Sequence, residues 1–163
     1  MIIPFEKMRE DSRVWIFQSS DLIVNDKKEG LIKDIEFFLR DWTSHGNEIE
    51  SSYKIKYERF IVIALNYNYN NPSGCSIDKL FNFIKYLEKK NNLNLLNRLS
   101  VAFKIKNEIK CHLINQIPDL IKCGDINSET IVFNNLVKNK HEFLSIWEKP
   151  MSESWHKKYL NNQ

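Results

Sequence analysis

Phe60 to Leu65 reads FIVIAL, an unbroken apolar run of strand length. A strand with one wet face alternates, so a continuous run requires cover on both faces and marks the centre of a layered fold. Just before it, Tyr53, Ile55 and Tyr57 alternate with Lys54, Lys56 and Glu58, the period of a half-exposed strand. A tight turn at Glu58-Arg59 would join the two runs as a hairpin. After it come a turn-rich loop, YNYNNPSGCSIDK, and a helical segment, LFNFIKYLEKK. From the end of that loop onward Ile77, Leu80, Phe81, Ile84 and Leu87 share one stripe, while Lys79, Lys85, Glu88 and Lys89 face water. Asn91, Asn92 and Asn94 break the pattern.

Upstream, Arg13 to Gln18 (RVWIFQ) has the β-branched and aromatic content of a strand. Between Asp26 and Ser44, residues Leu31, Ile32, Ile35, Phe38, Leu39 and Trp42 make a helical stripe, and Gly46 stands where a helix would stop. Downstream, Ser100 to Lys106 (SVAFKIK) predicts a fourth strand. The order β-α-β-β-α-β is the split β-α-β arrangement, so the chain is expected to be α+β, a ferredoxin-like sandwich over residues 1–106. Its fourth strand would pair beside the first, and both faces need cover, because Trp15 and Phe17 point away from Val14 and Ile16.

Residues 107–163 form a small C-terminal α+β lobe in this reading, with a boundary near Lys106-Asn107. Glu108 to Leu113 and Thr130 to Phe133 are strand candidates, and Pro118 opens a short helix that ends before Gly124. Phe143, Leu144 and Trp147 suggest another short helix closed by Pro150. Ser152 would cap a last turn holding Trp155 and His156. The aromatic cluster Trp147, Trp155, His156 and Tyr159 reads either as the plug of this lobe or as an exposed patch for a partner.

A length of 163 residues, 42% of them hydrophobic and 28% charged, supports a core of ordinary size. With 24 Lys+Arg against 21 Asp+Glu, the formal charge of +3 is too small to argue for nucleic acid, and such a partner is not expected. Met1 to Met8 has neither the basic lead nor the apolar run of a secretory signal, and no segment approaches the roughly 18 apolar residues that span a bilayer. Cys75, Cys111 and Cys123 are odd in number and follow no framework spacing, as expected in a reducing compartment, so the protein is placed in the cytoplasm.

Candidate chemistry concentrates in Ser73 to Asp78 (SGCSID). If a helix begins near Cys75 or Ser76, its free amides and dipole point into the loop. Ser73, Gly74, Ser76 and Asp78 could then hold an anion, and Cys75 could act as a thiolate nucleophile. The structural alternative needs the same residues: a serine caps, Gly74 turns, Asp78 complements the dipole, and Cys75 packs. In the β-α-β-β-α-β order His45 falls at the same sheet edge as Cys75, which makes it the candidate base of a Cys/His pair. A metal site from Cys111, His112, Cys123 and His141 is disfavoured, since neighbours on a strand point to opposite faces and no C-x-x-C exists. No metal and no cofactor are expected.

The segments DWTSHG, YERFIVIA, SGCSIDK, TIVFNNLV, and WEKP followed by SWH together resemble a family of small bacterial proteins that carry the label "ABC transporter ATPase". That label implies a P-loop, G-x-x-x-x-G-K-[ST], whose amides and lysine cradle phosphates. None of Gly30, Gly46, Gly74 and Gly124 is followed by lysine, so ATP hydrolysis is not expected. The run IPDLIKCGDINSETIVF is similar to the core of GYF-2-like modules, which mediate protein contacts; the aromatic peptide-binding signature of GYF domains is absent, so the resemblance implies a local fold and not peptide binding. Two functions follow from the sequence: a small binding or adaptor protein, or a thiol-dependent enzyme using Cys75 and His45. A purely structural subunit is a third. The ligand, the partner and the oligomeric state stay open.

Overall fold

The computed structural model describes residues 1–44, 47, 48, 50–66 and 74–161; at 25, 26, 43, 44, 47 and 48 the description stops at the backbone. The protein is mixed α+β and parts into two units, Met1–Leu96 with Lys138–His141, and Asn97–Val137 with Glu142–Gln163.

In the first unit β1 (Arg13–Gln18) leads into α1 (Asn25–Asp41), two short strands β2 (Thr43–Ser44) and β3 (Asn47–Glu48), the hairpin β4 (Ser51–Lys56) and β5 (Phe60–Leu65), and α2 (Gly74–Asn91). The main sheet is antiparallel in the order β1-β5-β4, so the apolar strand is central and all six of its residues are buried. Trp15 and Tyr53 both lie opposite Ile63, while Phe17 and Ile55 both lie opposite Ile61. These side chains form one core with Leu31, Ile35 and Leu39 of α1 and Leu80, Ile84 and Leu87 of α2. By strand alternation Val14, Val62 and Ala64 occupy the opposite face, also buried. The N-terminal 3-10 turn Phe5–Lys7 reaches β4 there: Lys54 lies 5.3 Å from the Phe5 ring centroid and 2.9 Å from the Glu6 carboxylate. That contact holds the Glu6 carboxyl below the usual range.

Two expectations change. The hairpin turns at Tyr57 (φ 53°) and Glu58 (φ 49°), with Arg59 N–H donating to Lys56 O at 3.1 Å, one residue earlier than the predicted Glu58-Arg59. Positive φ at both central residues gives the twist that antiparallel strands need, even though neither side chain favours it. The second change is larger. Ser100 to Ile105 does not complete the first sheet beside β1; it pairs with residues 108–113 and 131–133 in the other unit. The reason is local: Lys106 (φ 49°) and Asn107 (φ 66°) make a two-residue hairpin turn, with Ile105 opposite Glu108. The boundary expected at Lys106-Asn107 therefore falls inside a hairpin, and the units part at Leu96/Asn97.

The second unit has the antiparallel order β7-β6-β8-β9, from β6 (Ser100–Ile105), β7 (Glu108–Leu113), β8 (Ile131–Phe133) and β9 (Glu148–Pro150). Its helices are α3 (Ile117–Lys122) and most of α4 (Lys140–Ser145), whose Lys140 and His141 belong to the first unit. Pro118 opens α3 as expected, and Gly124 at φ 78° closes it, with Asp125 N–H donating to Leu120 O at 2.9 Å. Val101, Phe103, Ile117, Ile126, Val132 and Met151 form the core, with Trp155 and Tyr159 packed against it. Trp147 instead packs on Phe133 and Phe143, at centroid distances of 5.0 and 4.8 Å. Pro150 stands on the edge strand, where its missing N–H costs nothing. The last 3-10 turn follows Ser154, not Ser152, and Ser154 Oγ lies 2.8 Å from His156 Nδ1.

Candidate functional site

Helices α1 and α2 cross the sheet antiparallel to each other, pinned at three levels. The Trp42 indole N–H donates to Ser76 O at 3.0 Å, Phe38 and Phe83 stack at 4.2 Å with planes 3° apart, and Lys90 Nζ lies 2.7 Å from Asp34. That carboxylate holds the Lys90 ammonium above the usual lysine range.

Each helix buries one stripe and carries a second beside it. Asp34, Phe37, Phe38 and Asp41 on α1, and Lys79, Asn82, Phe83 and Tyr86 on α2, follow i, i+3, i+4, i+7 spacing. With Trp42 they line an open groove of about 460 Å³. Its base is the Phe38–Phe83 stack, extended by Trp42 at 5.4 Å from Phe38 and by Tyr86 at 6.3 Å from Phe83. Phe37 is 70% exposed and Tyr86 50%, so the aromatic floor continues to the rim. Singly scattered apolar side chains need no account, whereas here the exposed Phe37 and Tyr86 adjoin the half-buried Phe38 and Phe83. Aromatic rings bring large area at little cost in rotamer freedom. Asp41 and Lys79, at one end of the groove, are paired with no other described side chain.

The sequence-predicted site distributes differently. Gly74, Cys75 and Asp78 are exposed in the first turns of α2; Ser76 is buried, and its carbonyl accepts from Trp42. The Trp42–Ser76 bond brings the end of α1 to the start of α2, the edge on which the sequence placed the site. His45 and Ser73 lie outside the described residues. Cys75 is not part of the groove lining, and no hydrogen bond to its thiol occurs among the described residues. Gly74 has open space around a would-be Cβ, so packing does not require glycine there. Cys111 and His112 occupy successive positions of β7, opposite Ala102 and Val101. Among the described residues no group of three or more His, Cys, Asp and Glu side chains is placed to hold a metal. No helix among them is long and apolar enough to cross a membrane.

Sequence reasoning passed over Phe37, Phe83 and Tyr86 because they lie off the core stripes. The signal was present: aromatics one position outside a helix's buried stripe, on both helices of an antiparallel pair, converge in the groove between them. Compared with protein-family models, curated proteins and solved structures, the chain matches none.

Proposed function

We propose that the protein is a small binding or adaptor protein, and that the α1/α2 groove is where it meets another protein surface. The observation that carries this reading is the continuous aromatic row Trp42–Phe38–Phe83–Tyr86, which runs from the buried Trp42 through the half-buried Phe38 and Phe83 to the exposed Tyr86, with the exposed Phe37 on its rim. Stacked rings flanked by charges suit a protein surface, where aromatics supply most of the contact energy and rim charges set the register. The strand order β1-β5-β4 with α1 and α2 in the same core supports reading the first unit as a ferredoxin-like scaffold without its fourth strand and with the β2-β3 pair inserted. The three free thiols support a reducing, cytoplasmic setting. Lacking a P-loop, the chain is not an ATPase in this reading.

The test is photo-crosslinking in cells. With p-benzoylphenylalanine replacing Phe37, irradiation gives a discrete protein adduct that Phe83→Asp abolishes, whereas the same probe replacing the exposed Leu144 gives none. Equal crosslinking from both positions, or none from position 37, contradicts the reading.

A further inference from the structure

We infer that the occupant of the α1/α2 groove is a second copy of this chain, packed groove to groove about a two-fold axis along the groove. This rests on the reading of the groove as a protein-binding surface and names its partner.

Asp41, the last residue of α1, lies between Phe38 and the following Trp42, and Lys79 lies between Ser76 and Phe83 on α2. Because Trp42 bonds Ser76 and Phe38 stacks on Phe83, these two charges stand at the same level on opposite walls. The α1 wall therefore presents a carboxylate and the α2 wall an ammonium, with the aromatic floor between. A rotation about the groove direction sets α1 of one copy over α2 of the other without changing level. Asp41 of each copy then meets Lys79 of its mate, and the rings of the two floors and rims face each other. An axis across the groove would set α1 over α1 and leave the carboxylate and ammonium without opposite charges. An isologous interface must be self-complementary, and this charge pattern is so for one axis only. A partner of single-sign charge would meet like charge on one wall, which is unfavourable.

The test uses the full chain and three variants, Asp41→Lys, Lys79→Glu and the double variant, in sedimentation equilibrium at low salt. The wild type self-associates as a dimer. Each single reversal sets like charges together twice per dimer and weakens association about 10- to 100-fold. The double variant restores it. An equimolar mixture of the two single variants forms a heterodimer, since the two reversed positions then face each other with opposite charges, as do the two unchanged ones. This recovery also shows that both variants fold. A wild type that stays monomeric at millimolar concentration overturns the inference, as does a mixture or double variant that associates no better than the single variants. If the chain is monomeric but position 37 crosslinks to a protein of another mass, the binding reading stands and the self-association falls. If neither occurs, both fall.

Discussion

Lys140 lies far along the chain from the N-terminal segment it docks against, and its ammonium is almost wholly buried. It donates to Met8 O at 2.7 Å and Glu6 O at 3.2 Å, and lies 3.3 Å from the Glu10 carboxylate. All three N–H groups thus have acceptors, and the cradle anchors the returning segment Lys138–His141 to the first unit. Lys140→Met keeps most of the stem's volume but leaves two carbonyls without a donor, at about 1–3 kcal/mol for each buried acceptor left unsatisfied. Burial of the thioether and release from desolvating a charge offset part of this, leaving a net loss of about 2–3 kcal/mol. Glu10 is the lesser partner: its side chain is 64% exposed, so Glu10→Gln costs under about 0.5 kcal/mol. The assay is amide hydrogen exchange at β5, the central strand of the unit. There Lys140→Met should raise rates about 30- to 150-fold and Glu10→Gln hardly at all. If Glu10→Gln is the more damaging change, or Lys140→Met changes rates less than about threefold, the carbonyl cradle is not what holds the segment.

Gly30 lies inside α1 with open space around its Cβ position, so Gly30→Ala should stabilise by about 0.5–1 kcal/mol in urea denaturation. Glu58→Gly should relieve the left-handed conformation of the β4–β5 turn and raise stability by up to about 1 kcal/mol, less the weak contact with Lys28 at 3.8 Å. Burial, aided by the Lys158 charge, lowers the His156 pKa from 6.5 to about 4. The unfolded chain therefore binds the proton more readily, so stability is full above pH 6.5 and falls as pH drops towards 4, by on the order of 3 kcal/mol. His156→Gln should flatten that slope in thermal unfolding. Burial, then the 2.7 Å bond to Glu36, raises the Tyr53 pKa to about 12, so an ultraviolet titration should find one tyrosine ionising well above pH 10, and Glu36→Gln should lower it.

The first unit was largely legible in the chain. A six-residue apolar run rich in β-branched residues reads as a covered strand, the alternation at Tyr53 and Ile55 sets which side chains meet α1, and two clean stripes specify the helices. Strand partnership was not legible, because alternation says which face is wet and nothing about which neighbour pairs. Lys106-Asn107 read as a boundary although Asn adopts the left-handed conformation readily, and that turn chemistry sends Ser100–Ile105 to its neighbour Glu108–Leu113 rather than to β1. Glu148–Pro150 was missed as a strand because it is short and ends in proline, which an edge tolerates. The cysteine loop drew attention through residue types alone; the groove depends on two helices placing their second stripes side by side, which no single-helix pattern displays. Lys140 gave no signal at all, since its acceptors are backbone carbonyls.

Whether the α1/α2 groove is where two copies of the chain meet is tested most directly by a dilution series of isotope-labelled protein followed by amide and aromatic NMR shifts. Self-association through the groove predicts concentration-dependent shifts confined to Asp34–Trp42 and Lys79–Tyr86, largest at the Phe37 and Tyr86 rings, and abolished by Phe37→Asp. Shifts that centre on the second unit, or a spectrum that does not move with concentration, would contradict it.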